Sequence, residues 1–99
     1  MVRSKKIEIF FEERGGEGPL AIYLLKGPYG DAIEANNGRG VGFFDQTGKL
    51  IAVQFDLVNA KKDKQKLEFQ NGTSVEINVQ KSKVRIASAK TTPDASSAA

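Results

Sequence analysis

Residues 40–58, Gly40-Val41-Gly42-Phe43-Phe44-Asp45-Gln46-Thr47-Gly48-Lys49-Leu50-Ile51-Ala52-Val53-Gln54-Phe55-Asp56-Leu57-Val58, read as a β-hairpin. Val41 and Phe43 alternate on one side of the turn, and Ile51, Val53, Phe55 and Leu57 alternate on the other. Alternation of this kind marks a strand with one buried face. A two-residue loop at Thr47-Gly48 would pair Phe43 with Ala52 and turn it away from Ile51 and Val53. One slip in register moves every side chain to the other face. The three-residue loop Gln46-Thr47-Gly48 instead pairs Asp45 with Lys49, Phe43 with Ile51 and Val41 with Val53. Gly48 then takes the left-handed position of a type I turn with a G1 bulge, where a residue lacking Cβ is favoured. The hairpin predicts antiparallel β structure and assigns Phe43, Ile51 and Val53 to the core.

The same logic applies to residues 67–79. Asn71-Gly72 suggests a two-residue type I′ turn, which would pair Phe69 with Ser74. The three-residue loop Gln70-Asn71-Gly72 pairs Phe69 with Thr73 and Leu67 with Val75, placing apolar residues opposite one another. The three-residue loop is expected in both hairpins.

Working outward, Ile7, Ile9 and Phe11 alternate along a strand within Lys5 to Glu13, with Phe10 on its other face. Leu20 to Lys26 is apolar on both faces and predicts a central strand. Gly15 to Pro19, Gly27 to Gly30 and Asn36 to Gly40 are turns, and Asp31 to Ala35 is a short strand. Asn59 to Lys64 is a polar connection holding at most one short helical turn. Lys81-Ser82-Lys83 turns the chain into a last short strand around Val84-Arg85-Ile86. The expected fold is all-β: an antiparallel meander, β-roll or small barrel of about six to eight short strands. Residues 1–87 are expected to form one β-rich domain. Residues 88–99 offer no apolar anchor beyond alanine and are expected to be a disordered tail.

Ala21-Ile22-Tyr23-Leu24, Asp45-Gln46-Thr47-Gly48-Lys49-Leu50-Ile51-Ala52-Val53 and Val58-Asn59-Ala60-Lys61-Lys62 carry a resemblance to known proteins. Together they resemble a family of small prokaryotic domains of unknown function. Its pattern is an alanine-led strand with a Tyr, then an acidic residue, two spacers, Gly and an aliphatic strand ending near Asn-Ala. Ala52 stands where that pattern has Gly, and the basic second hairpin lies outside it. The resemblance implies a small β-rich domain and no particular activity.

The chain has 99 residues, the size of one compact core, with no apolar run long enough to span a bilayer as a helix. Glu8 interrupts the short apolar stretch after Arg3, Lys5 and Lys6, so no signal peptide is expected. Asn71-Gly72-Thr73 is formally a glycosylation acceptor, discounted for want of a secretory signal. Cysteine is absent, which accords with an expected cytoplasmic location. The chain also lacks histidine. Histidine triads, imidazole acid–base catalysis, zinc fingers and thiol nucleophiles are thereby excluded. No cofactor, metal site or catalytic residue is expected, and the chain reads as a non-enzyme.

Three acidic or glycine-rich features have structural readings. Glu12, Glu13 and Glu17 are strand-end charges, since neighbouring strand residues point to opposite faces. Asp45 is the first residue of a turn, and Asp56 lies on a polar strand face. Gly38-Arg39-Gly40-Val41-Gly42 leads into a strand, whereas a phosphate-binding glycine loop leads into a helix. Its second role is a close backbone approach at Gly42.

Charge is uneven. Residues 1–58 carry seven Lys/Arg and eight Asp/Glu, and residues 59–99 carry eight and four. Lys61, Lys62, Lys64 and Lys66, with Lys81, Lys83 and Arg85, are the candidate polyanion-binding set. Lys81, Lys83 and Arg85 share strand parity and would line one face. Phe10, Leu25, Phe44 and Leu50, opposite the inferred core face, are the candidate interface set, to be covered by the chain's own strands or by a second copy. Two functional readings follow. The first is a non-enzymatic binding or accessory module that contacts a protein partner or itself as a homo-oligomer. The alternative is sequence-tolerant binding of RNA or single-stranded DNA through the basic second half, with Phe10, Tyr29 and Phe44 as stacking platforms. A membrane partner is not expected.

Overall fold

A computed structural model describes residues 7–27 and 29–90. Eight strands follow in order: β1 (Glu8–Phe11), β2 (Glu17–Tyr23), β3 (Asp31–Glu34), β4 (Gly40–Phe44), β5 (Leu50–Asn59), β6 (Lys62–Glu68), β7 (Ser74–Gln80) and β8 (Lys83–Lys90). They form two open antiparallel sheets, β1-β2-β5-β4-β3 and β6-β7-β8. The fold is all-β, as the alternation predicts, and no helix occurs among the described residues. Residues 59–64 turn a corner from one sheet to the other with no helical turn. β8 continues to Lys90, three residues into the stretch expected as a tail, because Glu76, Val75 and Ser74 pair with Ser88, Ala89 and Lys90. Residues 91–99 lie outside the described residues.

The sheets pack face to face. Leu20, Ile22, Phe44, Leu50, Val53, Phe55 and Val58 of the larger sheet meet Leu67, Phe69, Val75, Ile77 and Val79 in one buried cluster. The 21 Å short dimension fits two layers about 10 Å apart with side chains on the outside.

β5 departs from the simple alternation twice. The three-residue loop forms as expected, with Asp45 N donating to Lys49 O at 2.9 Å and Gly48 at φ +90. Beyond it, Phe44 pairs with Leu50 and Phe43 with Ala52, so Ile51 is an extra residue. This bulge shifts the register by one and turns β4 over. Phe44 becomes core and Phe43 faces outward, the reverse of the expectation. Ile51 is buried but lies outside the central cluster. The second bulge sets Asp56 and Leu57 opposite Pro19, between the Gly18–Val58 and Leu20–Phe55 pairs. Leu57 is therefore exposed and Val58 takes the core position. Proline has no N–H for a regular ladder and fits a bulge.

The second hairpin keeps its predicted register. Phe69 N donates to Thr73 O, Gly72 adopts φ +91, and Leu67 pairs with Val75. The glycines of β4 are structural as well. A Cβ on Gly40 would lie 2.5 Å from Leu67 Cδ1, and one on Gly42 would lie 2.9 Å from the Phe69 ring. They let β6 and the residue that follows it close onto β4. The β3–β4 turn completes the contact, with Asn36 N donating to Glu68 O at 2.7 Å.

Candidate functional site

The two outer faces of the sandwich differ sharply in chemistry. On the smaller sheet, inward residues are Leu67, Val75, Ile77 and Val79. Strand alternation therefore directs Lys62, Lys64 and Lys66 of β6 outward, with Gln80, Asn78 and the carboxylate Glu76 of β7, which faces Lys66, and Lys83 and Arg85 of β8. The register aligns them in rows across the sheet: Lys62–Gln80–Lys83 and Lys64–Asn78–Arg85. The structure thus unites the two basic segments, which lie about twenty residues apart in sequence. They border an open concavity of ≈ 840 Å³.

Lys66 is the exception on this face, since its Nζ lies 3.4 Å from Glu68 Oε2. Among the described residues no other ion pair is formed. Lys61 stands at the corner between the sheets, off the alternating face. Lys81 is at the apex of the two-residue β7–β8 turn, where it and Ser82 have φ of +48 and +65. This is the type I′ pattern, normally filled by Asn and Gly. The turn is tied down by Lys81 N donating to Lys61 O at 3.1 Å and Ser82 N to Ala60 O at 2.8 Å.

The corner that places these lysines is held by side chains. Asn59 Oδ1 accepts from Lys61 N, and Asp63 Oδ2 accepts from Asn59 N at 2.8 Å. Burial works to raise the Asp63 carboxyl pKa. The bonds from Asn59 N, Gln65 Nε2 and Lys64 N, with the Arg39 charge, outweigh burial and hold it below the usual range.

The outer face of the larger sheet is aromatic. Phe10, Tyr23, Phe43 and Tyr29 stand on it around Ala21, Ala52, Gln54 and Val41. Phe10 meets Tyr23 edge-on with ring centroids 5.6 Å apart, and Tyr29 stacks on Phe43 at 5.2 Å. Phe10 and Tyr29 remain 53% and 54% exposed and Tyr23 38%. Phe10, Glu12, Pro19, Ala21, Tyr23 and Gln54 line a recess of ≈ 410 Å³. Glu8 on β1 and Glu34 on β3 share this face, whereas Asp31 pairs with the core residue Phe44 and belongs to the opposite one. Residues 7–59 together carry eight carboxylates against four cations.

Of the candidate interface set, only Phe10 lies on this face in the open. Phe44 is 1% exposed and Leu50 4%, both in the core, because the Ile51 bulge rotates them inward. Leu25 is half-buried after β2, its N–H donating to Ile51 O at 3.2 Å. Phe44, expected as a stacking platform, is buried, and Phe43 stands on the outer face in its place. Tyr23 was missed, although the β1–β2 pairing puts it diagonally beside Phe10. Asn78 and Gln80 were missed too, and the Leu67–Val75 register contains the signal that places them among the lysines.

The acidic features have structural work. Asp45 Oδ1 accepts from Thr47 N, Thr47 Oγ1 and Lys49 N at 2.7–2.9 Å. The Thr47 hydroxyl, then the Lys49 amide, hold its carboxyl below the usual range. Glu13 Oε2 accepts from Gly16 N at 2.9 Å. Among the described residues no group of three or more acidic side chains is arranged to hold a metal ion. No described helix is long and apolar enough to cross a membrane.

Comparison with known proteins gives no match to a family model, a curated protein or a solved structure.

Proposed function

We propose that this chain is a small non-enzymatic binding module that docks a protein partner on the aromatic face of its larger sheet. One observation carries the reading. Phe10, Tyr23, Phe43 and Tyr29 gather on the outside of a sheet whose inner side is already the core. Rings of this kind bring large contact area at low entropic cost, and aromatic anchors dominate binding energy at protein interfaces.

Charge selects the partner. Glu8 and Glu34 on the edge strands, with Glu12 at the recess, favour a segment presenting apolar side chains flanked by Lys or Arg. Two copies of the chain docked through this face would oppose like-charged rims, which disfavours self-association there.

The test uses two synthetic peptides sharing a Leu/Tyr/Phe centre, one flanked by lysines and one by glutamates. Calorimetric titration is expected to show binding of the lysine-flanked peptide alone, abolished in the Phe10→Ser/Phe43→Ser variant with its fold retained. Equal binding of both peptides, binding of neither, or an unaffected variant overturns the reading. Sedimentation of the free protein adds a second arm. A dimer broken by Phe43→Ser would make the partner a second copy instead.

A further inference from the structure

The basic face of the smaller sheet forms a site independent of the aromatic one. We infer that β6-β7-β8 binds the sugar–phosphate backbone of single-stranded nucleic acid, with Lys62, Lys64, Lys83 and Arg85 contacting phosphates and Asn78 and Gln80 facing the bases.

The register supplies the geometry. Lys62 and Lys64 are two residues apart on β6, and Lys83 and Arg85 two apart on β8, each a step of about 6.7 Å along a strand. That step is of the order of the separation between neighbouring phosphates in an extended single strand. β7 separates the two cation rows by two inter-strand spacings, about 10 Å. Between them Asn78 and Gln80 offer amide groups that both donate and accept, so they suit base edges of any identity. These residues border an open concavity of ≈ 840 Å³, whose lining Lys81, Asp63, Val79 and Val84 complete.

Other observations point the same way. Lys62, Lys64, Lys83 and Arg85 form no ion pair among the described residues, so their charge is free to meet phosphate. Lys81 crowns this end of the sheet from a turn whose two residues are both left-handed without being glycine. Strained non-glycine backbone is concentrated at functional sites. Residues 60–90 carry eight cations against three carboxylates, whereas residues 7–59 are net acidic, so the protein's field draws a polyanion to this side.

The chemistry also selects among polyanions. A three-stranded sheet face is too broad to enter the grooves of B-form DNA, about 12 and 6 Å wide, so a duplex would meet it only along its outer phosphates. An anionic bilayer would be held more firmly by an inserting apolar side chain, and the outward positions of Lys62–Lys66 and Gln80–Arg85 carry none. The face also lacks aromatic rings on which bases could stack. Binding through it is therefore phosphate-driven, sequence-tolerant and steeply salt-dependent.

The experiment is fluorescence anisotropy of a labelled 20-residue oligothymidine against the full chain over a salt series. Four phosphate contacts give a slope of log K against log salt of about −3, near −0.7 per contact for single strands. Lys64→Gln/Lys83→Gln/Arg85→Gln is expected to weaken binding at least about tenfold and to bring the slope close to −0.7. Lys26→Gln/Lys49→Gln, in the connections that follow β2 and β4, is expected to change neither. Melting curves and circular dichroism establish that each variant is folded. Duplex competitor, polyglutamate and phosphatidylserine vesicles are titrated in parallel. Preference for the oligothymidine supports the inference. No binding, binding unaffected by the triple substitution, or equal or tighter capture of any competitor overturns it. The Phe10→Ser/Phe43→Ser variant keeps this binding, which separates the site from the aromatic face.

Discussion

Phe44 meets Phe69 edge-on, with ring centroids 5.7 Å apart and planes at 82°. This contact joins β4 of the larger sheet to the residue that follows β6. It also explains the bulge at Ile51, since a regular hairpin would put Phe43 on the inner side in place of Phe44.

The two neighbouring phenylalanines are expected to respond very differently to truncation. Phe44→Ala removes a fully buried ring and is expected to cost about 3–5 kcal/mol. Phe43→Ala removes a half-buried ring from the outer face and is expected to cost about 1 kcal/mol. Urea denaturation of both variants checks this. The opposite ranking would restore the regular register.

Gly42→Ala tests the close approach of the two layers. The added Cβ would lie 2.9 Å from Phe69 Cζ and 3.0 Å from Phe44 Cε1. Both rings are buried in the core, so overpacking is expected to destabilise by about 1–3 kcal/mol. A thermal melt shows this as a lower transition temperature. An unchanged transition would mean the layers are looser at this point.

Thr73 offers the reverse effect. It is 1% exposed, and its Oγ1 has no hydrogen-bond partner among the described residues. Its backbone contacts to Phe69 and Asn71 do not use the hydroxyl. Thr73→Val keeps the shape and removes the unsatisfied group, so a stabilisation of about 1 kcal/mol is expected. Chemical denaturation showing a loss would reveal a role for the hydroxyl.

Acid sensitivity follows from the Asp45 and Asp63 carboxylates. Asp45 is held below the usual range chiefly by the Thr47 hydroxyl and the Lys49 amide. At Asp63 burial opposes ionisation, and the bonds from Asn59, Gln65 and Lys64 outweigh it. A carboxyl depressed in the folded state stabilises above its unfolded pKa, about 3.9, and loses that contribution as pH falls through its folded value. Asp45→Asn and Asp63→Asn are each expected to destabilise at pH 7, with the deficit shrinking below about pH 4. Urea titrations at pH 7, 5, 3 and 2 follow the difference. A deficit that persists unchanged at pH 2 would assign it to shape and not to charge.

Much of this arrangement was legible in the chain. Val75, Ile77 and Val79 alternate strictly, and Gln70-Asn71-Gly72 sets the loop, so the second hairpin's register could be read directly. That register carries the basic face with it, because side chains two apart share a side. Gly48 and Gly72 were equally plain, since their left-handed backbone is set by the turn itself. The first hairpin was harder. Val41-Gly42-Phe43-Phe44 offers an aromatic residue to either face, so alternation alone cannot choose between them.

The amino-acid sequence by itself determined the antiparallel β class, both three-residue loops and the shared face of Lys83 and Arg85. These rest on period-two patterning and turn chemistry, which act over a few neighbouring residues. Only the tertiary structure decided the two bulges of β5, the order β1-β2-β5-β4-β3 and hence the aromatic outer face. A bulge disturbs its ladder locally, and its compensation comes from the opposing sheet. Phe44 gains burial against Phe69, and Val58 replaces Leu57 in the core. Those partners are distant in sequence, so no local pattern could reveal that Phe43, and not Phe44, would stand on the outer face beneath Tyr29.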